Sequence, residues 1–153
     1  MRLIPLSTAL AAMLAAGAAQ AEMPPIDAAE LAAWQSAYAE IQAMSPKWAV
    51  QGGDAFHASA AAGVPVVYLD VRTPEEREKG VVAGALQVSL TELATEAGIA
   101  ALPESKTTIM AVYCKSGHRS ALAIPLLHRL GYVNATSMQG GYEGWVEAGY
   151  PVE

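Results

Sequence analysis

Ile109-Met110-Ala111-Val112-Tyr113-Cys114-Lys115-Ser116-Gly117-His118-Arg119-Ser120 is an apolar run that stops at a cysteine and leads through a short polar stretch into Ala121-Leu122-Ala123-Ile124. The apolar run has no alternation, which is the pattern of a parallel strand covered on both faces. The segment after it reads as a helix with Leu122, Leu126 and Leu130 as its buried stripe and Gly131 as its stop. Cys114 therefore occupies a turn between a buried strand and a helix amino terminus, where backbone N–H groups converge and stabilise an anion or thiolate. Gly117 lets that loop curl where a side chain would obstruct it, and Lys115 and Arg119, with His118 beside them, add positive charge. The thiol pKa is expected to fall, making Cys114 a nucleophile near neutral pH. The competing reading is a small buried hydrophobe, which the loop, the glycine and the cations together disfavour. Pro125 falls near the second turn of the helix and removes one hydrogen bond, so a kink or an altered first turn is expected.

Outward from this loop, Val66-Val67-Tyr68-Leu69 is a second continuous run of β-formers. Thr73-Pro74-Glu75-Glu76 combines an N-cap, a proline at the first helical position and a capping-box glutamate, so a short helix starts there and Gly80 ends it. Leu86–Leu90 reads as a short strand, Thr91 to about Ala97 as a helix and Asn134–Met138 as a further strand. Strands alternating with helices predict an α/β domain with a mainly parallel sheet, whose reactive loops lie at the carboxyl ends of the strands. Further upstream, Asp54–Ala62 reads as a helix ended by Gly63, and Ser45-Pro46 and Gly52-Gly53 read as punctuation. Asp27, with Glu30 three residues on, starts a helix to about Met44 whose Leu31, Trp34, Tyr38 and Ile41 share one face. That face either packs on the domain or docks a partner.

Residues 1–21 do not belong to the fold. Arg2 supplies a positive start, Leu3–Ala18 is almost wholly apolar, and Ala19-Gln20-Ala21 has the small-x-small form that a signal peptidase cuts. The apolar stretch is shorter than the roughly 20 residues of a spanning helix and is broken by Pro5 and Ser7-Thr8, so a cleaved export signal and a periplasmic protein starting at Glu22 are expected. Residues 22–46 then form a linker and the amphipathic helix. The whole chain carries 9 Lys+Arg against 15 Asp+Glu, a formal charge of -6, and removal of the signal takes away one cation and no acid. An acidic surface argues against nucleic acid or an anionic membrane as partner. The chain has 1 cysteine, so an internal disulfide is impossible and the thiol faces periplasmic redox chemistry alone.

Three ordered segments carry a resemblance. Leu69-Asp70-Val71-Arg72-Thr73-Pro74-Glu75-Glu76, Cys114-Lys115-Ser116-Gly117-His118-Arg119-Ser120, and Gly140-Gly141-Tyr142 to Trp145 followed by Ala148-Gly149-Tyr150-Pro151 resemble the signatures of the rhodanese-like family of sulfurtransferases. The likeness covers about residues 47–153 and leaves the amino-terminal helix outside. It implies a mainly parallel five-stranded sheet flanked by helices, with that extra helix in front. One departure is Gly80-Val81, where the family commonly has Gly-His.

The resemblance implies that Cys114 takes the outer sulfur of a small anionic donor such as thiosulfate, holds it as a persulfide, and passes it to cyanide or to a thiol or protein acceptor. Lys115, Ser116, Gly117, His118 and Arg119 form the substrate-binding loop, whose N–H groups surround the persulfide while its cations attract the donor. Neither metal nor organic cofactor is implied. Asp70 and Arg72 read as an ion pair or hydrogen-bonded brace for the neighbouring loops ahead of a catalytic role. Trp145 reads as a core aromatic, and His57 and His128 lie on helices away from the loop. Two other functions compete. A cysteine–arginine phosphatase is disfavoured because the related phosphatases have one residue more between cysteine and arginine than the four found here. A non-catalytic binding module is expected to lose the cysteine or its glycine, and this chain keeps both.

Overall fold

The computed structural model describes residues 27–43 and 50–153. Residues 1–26, on which the expected export signal and linker fall, and the Ser45-Pro46 punctuation lie outside them. In chain order the elements are α1 (Ala28–Ala43), β1 (Val50–Gly52), α2 (Gly53–Ala61), β2 (Val66–Asp70), α3 (Pro74–Arg77), β3 (Leu86–Gln87), α4 (Leu90–Leu93), α5 (Glu96–Ala100), β4 (Ile109–Tyr113), α6 (His118–Arg129), β5 (Ala135–Gln139) and α7 (Gly141–Glu147). α1 is a unit of its own through Ala39. Asp27 caps it, accepting the Glu30 N–H at 2.8 Å, and its Trp34 and Tyr38 rings lie 5.8 Å apart.

The strands form one five-stranded sheet in the order β1-β5-β4-β2-β3, with every pairing between them parallel. β4 lies at the centre, and period-2 alternation divides it between two cores. Met110, Val112 and Cys114 face a cluster with Leu69, Ile124 and Leu127, whereas Ala111 and Tyr113 face one with Phe56, Met138 and Trp145. Trp145 is 3% exposed and donates its indole N–H to the Pro151 carbonyl at 2.9 Å, so it is a core aromatic with its one donor satisfied. Strand order reverses between β2 and β4: β2 leads outward to β3, and β4 continues the other way to β5. The crevice beyond their carboxyl ends is where an open α/β sheet places its reactive loops.

Several boundaries differ from expectation. The first strand, β1, falls on Val50–Gly52, where the sequence pattern showed only punctuation; three residues paired to β5 leave no periodicity to detect. The strand expected over Leu86–Leu90 is two residues long, because Ser89 caps α4 by accepting the Glu92 N–H. The helix expected over Thr91–Ala97 is divided into α4 and α5, because the Thr95 hydroxyl accepts the Gly98 N–H and starts a new turn. In α6 the buried positions are Ser120, Ala123, Ile124 and Leu127, while Leu122 is 70% exposed. The stripe is thus displaced by one residue from Leu122-Leu126-Leu130, and it includes a serine that a hydrophobicity pattern passes over. α6 runs without a break across Pro125 to Arg129.

Candidate active site

Cys114 follows the last residue of β4, and its carbonyl and that of Lys115 accept the Tyr142 and Glu143 N–H groups at 2.8 and 3.1 Å. The first turn of α7 therefore anchors the start of the loop. Gly117 then turns the chain at φ +113, a conformation open to glycine, and α6 starts at His118. The result curls the backbone around the sulfur. Gly117 donates its N–H to Cys114 Sγ at 3.2 Å, and the Ser120 hydroxyl stands 3.8 Å away. Burial pushes the Cys114 thiol up, but the N–H groups of Ser120, Gly117 and Ser116 and the Ser120 hydroxyl outweigh it, and the net shift is downward. The sulfur thus faces backbone N–H donors at a helix start.

The loop cations do not stand free beside the sulfur. Arg119 lies in a two-pronged ion pair with Glu76, with Nη1–Oε2 at 2.6 Å and Nη2–Oε1 at 2.7 Å. Arg119 holds the Glu76 carboxyl down to about 2, and Glu76, with a smaller contribution from Cys114, raises Arg119. Lys115 is 60% exposed and lies 3.5 Å from Glu143, a solvated pair of little energetic weight. Ser116 and His118 point outward at the rim, with Ser116 Oγ and His118 Nδ1 3.3 Å apart.

Beneath the rim, Asp70 and Arg72 are 0% and 2% exposed and joined at 2.6 Å. Arg72 also donates to the carbonyls of Glu76 at 3.2 Å and Gly80 at 2.8 Å, and its guanidinium lies over the Tyr142 ring at 4.0 Å. Burial works against the Arg72 charge, and the bonds to Asp70 outweigh it, leaving Arg72 raised. These contacts brace the β2–β3 connection and reach no part of Cys114. Between that connection and the cysteine loop opens a cleft of ≈ 270 Å³ lined by Arg72, Glu76, Lys79, Lys115, Tyr142 and Glu143.

Four contributors were not singled out from sequence. Glu76 was legible only as a helix cap, a duty it also performs by accepting the Thr73 N–H at 3.0 Å. Ser120 and Ser137, both buried, share a 2.8 Å hydroxyl contact behind the sulfur, and the Ser120 hydroxyl, which has one proton to share between Cys114 Sγ and the Gly117 carbonyl, stands 2.9 Å from the latter. A polar residue at a buried position of β5 is a signal that alternation could have raised. Gly141 lies under the loop, as its place in the Gly-Gly-Tyr motif allows. Among the described residues no group of three or more His, Cys, Asp or Glu converges in a way that could hold a metal ion.

The model of the rhodanese-like domain matches residues 54–148. A sulfurtransferase of Allochromatium vinosum is 30% identical over 87 residues, 57% of this chain and 78% of that protein. A probable adenylyltransferase/sulfurtransferase of Mycobacterium tuberculosis is 31% identical over 90 residues, 59% of this chain, and the match spans only 22% of its length. Among solved structures, a rhodanese-related protein of Thermoplasma volcanium superposes with a TM-score of 0.59 at 30% identity, covering 69% of this chain and 98% of that one.

Proposed function

The chain belongs to the rhodanese-like domain family, and on that premise we propose that it is an exported sulfurtransferase that carries sulfane sulfur on Cys114. The reading rests on one observation: the single thiol of the chain lies at the centre of a loop whose N–H groups hold its charge, with Gly117 at 3.2 Å from Sγ. Such a site stabilises a sulfur anion at fixed positions, before and after it gains a second sulfur.

In the first half-reaction the Cys114 thiolate attacks the outer sulfur of thiosulfate. A sulfur–sulfur bond forms at Sγ, the sulfur–sulfur bond of the donor breaks, and sulfite leaves with the electron pair. In the second half-reaction a nucleophile, cyanide in the test tube or a thiolate in the cell, attacks the outer sulfur of the persulfide and Cys114 leaves as thiolate. No oxidant is consumed. The loop donors hold the single negative charge as it passes from Sγ to the terminal sulfur, while the Asp70–Arg72 brace keeps the facing connection in position.

Intact-mass measurement of the purified protein tests this. Thiosulfate should add one sulfur atom's mass, cyanide should remove it, and Cys114→Ser should show neither change while melting at the wild-type temperature. A wild type that gains no sulfur from any donor overturns the proposal.

Export is proposed on the pattern of residues 1–21. Secreted material should begin at Glu22, and a full-length product retained in the membrane would refute it.

A further inference from the structure

Three cations around the cysteine loop, beside Lys79 in the cleft, each carry a carboxylate. Arg72 has Asp70 at 2.6 Å, Lys115 has Glu143 at 3.5 Å, and Arg119 has Glu76 at 2.6 Å. The three pairs differ in what water does to them. Asp70–Arg72 is sealed below the rim, and Lys115–Glu143 is so exposed that solvent screens it. Arg119 belongs to the cysteine loop itself and Glu76 lines the cleft beside it, and at 33% and 28% exposure the pair is shielded enough for one charge to be felt by a ligand.

We infer that Glu76 is a specificity-determining residue for sulfur transfer: it cancels the Arg119 charge at the rim and thereby selects donors of low negative charge over dianions. The inference rests on the sulfurtransferase reading above and adds the charge class of the donor. An unpaired Arg119 would attract thiosulfate, which carries two negative charges. Paired through both nitrogens, it presents almost no net charge while keeping the shape of the loop.

Two donors separate charge from shape. Thiosulfate gives Cys114–S⁻ + S–SO₃²⁻ → Cys114–S–S⁻ + SO₃²⁻, and the methanethiosulfonate anion gives Cys114–S⁻ + CH₃SO₂S⁻ → Cys114–S–S⁻ + CH₃SO₂⁻. The same bond forms and the same bond breaks, but the donors differ by one charge. Glu76→Gln separates the roles of Glu76 as well. Glutamine serves the helix cap as glutamate does, it still offers Arg119 one oxygen, and the Glu76 carbonyl that binds Arg72 is untouched.

Persulfide loading of the full chain is followed by intact mass as a function of donor concentration. In Glu76→Gln the half-saturating concentration should fall about three- to tenfold for thiosulfate and about two- to threefold for methanethiosulfonate, with the difference shrinking in high salt. The double variant Glu76→Gln/Arg119→Gln, neutral again at this position, should return the ratio between the donors to its wild-type value. Equal changes for both donors, or weaker thiosulfate binding in Glu76→Gln, would reduce Glu76 to a brace for Arg119 and overturn the inference. A double variant that keeps the altered ratio would overturn it too. A wild type that loads from neither donor refutes the sulfurtransferase reading itself and takes this one with it, whereas loading with an unchanged ratio refutes only the role of Glu76.

Discussion

Gly141 lies so close under Cys114 that a methyl group on its Cα would stand 2.5 Å from the Cys114 carbonyl oxygen, and 2.7 Å from the carbonyl carbon and oxygen of Lys115. Its φ of +58 adds a backbone penalty for any side chain. Gly141→Ala must therefore push α7 and the cysteine loop apart, straining the Tyr142 and Glu143 N–H bonds that hold the loop's first carbonyls. We expect a stability loss of about 1–3 kcal/mol and a drop in persulfide loading of about tenfold or more. A melting curve and a loading time course check both. Full loading at the wild-type rate would show that the loop is held by other contacts.

The legibility of this site divides along chain distance. The Cys114 loop was readable because everything that defines it is local: a β-forming run, a glycine and a helix start within a dozen residues. The partners that tune it come from afar. Glu76 lies 43 residues from Arg119, and Ser137 lies 17 from Ser120. Tertiary approach of this kind leaves no periodicity, and Glu76 already had a sufficient local role as a helix cap. β1 escaped notice for a related reason, since its three residues become a strand only through β5.

Asp70→Asn should destabilise the fold by about 3 kcal/mol or more, because it leaves the Arg72 guanidinium buried without its counter-charge. Thermal or denaturant unfolding measures this. Since neither residue touches Cys114, material folded below its lowered melting temperature should retain measurable persulfide loading. Complete loss of loading in a well-folded Asp70→Asn protein would give the pair a direct part in the chemistry.

The Arg119–Glu76 pair sets an acid limit. Arg119 holds Glu76 at about 2 in the fold, below the ordinary carboxylate value of 4.5, so the unfolded chain takes up the proton first as pH falls. The pair's contribution to stability is therefore complete above about 4.5 and is lost as pH falls through about 2. Carbon-detected NMR titration of the Glu76 carboxyl should show it ionised throughout the range from pH 7 to pH 4. A midpoint at or above 4.5 would mean that the pair does not persist in solution.

The last prediction concerns the ionisation of Cys114. The thiol is buried, and burial alone would raise its pKa and leave it inert; the loop N–H groups and the Ser120 hydroxyl reverse the sign. Because the shift is downward, thiolate should persist at pH values where an ordinary thiol is protonated, and the pH profile of iodoacetamide alkylation should have its midpoint below that of a small free thiol. Ser120→Ala removes the side-chain donor at 3.8 Å, the smallest of the contributions that lower the thiol, and should slow alkylation near pH 7 by about twofold, moving the midpoint upward without changing the plateau at high pH. Ser137→Ala acts one step further back, through the 2.8 Å contact that orients the Ser120 hydroxyl, so its shift should have the same sign and be smaller. A lowered plateau would indicate restricted access to the sulfur in place of altered ionisation. A wild-type midpoint at or above that of a free thiol would mean that burial wins and that the loop donors do not activate Cys114.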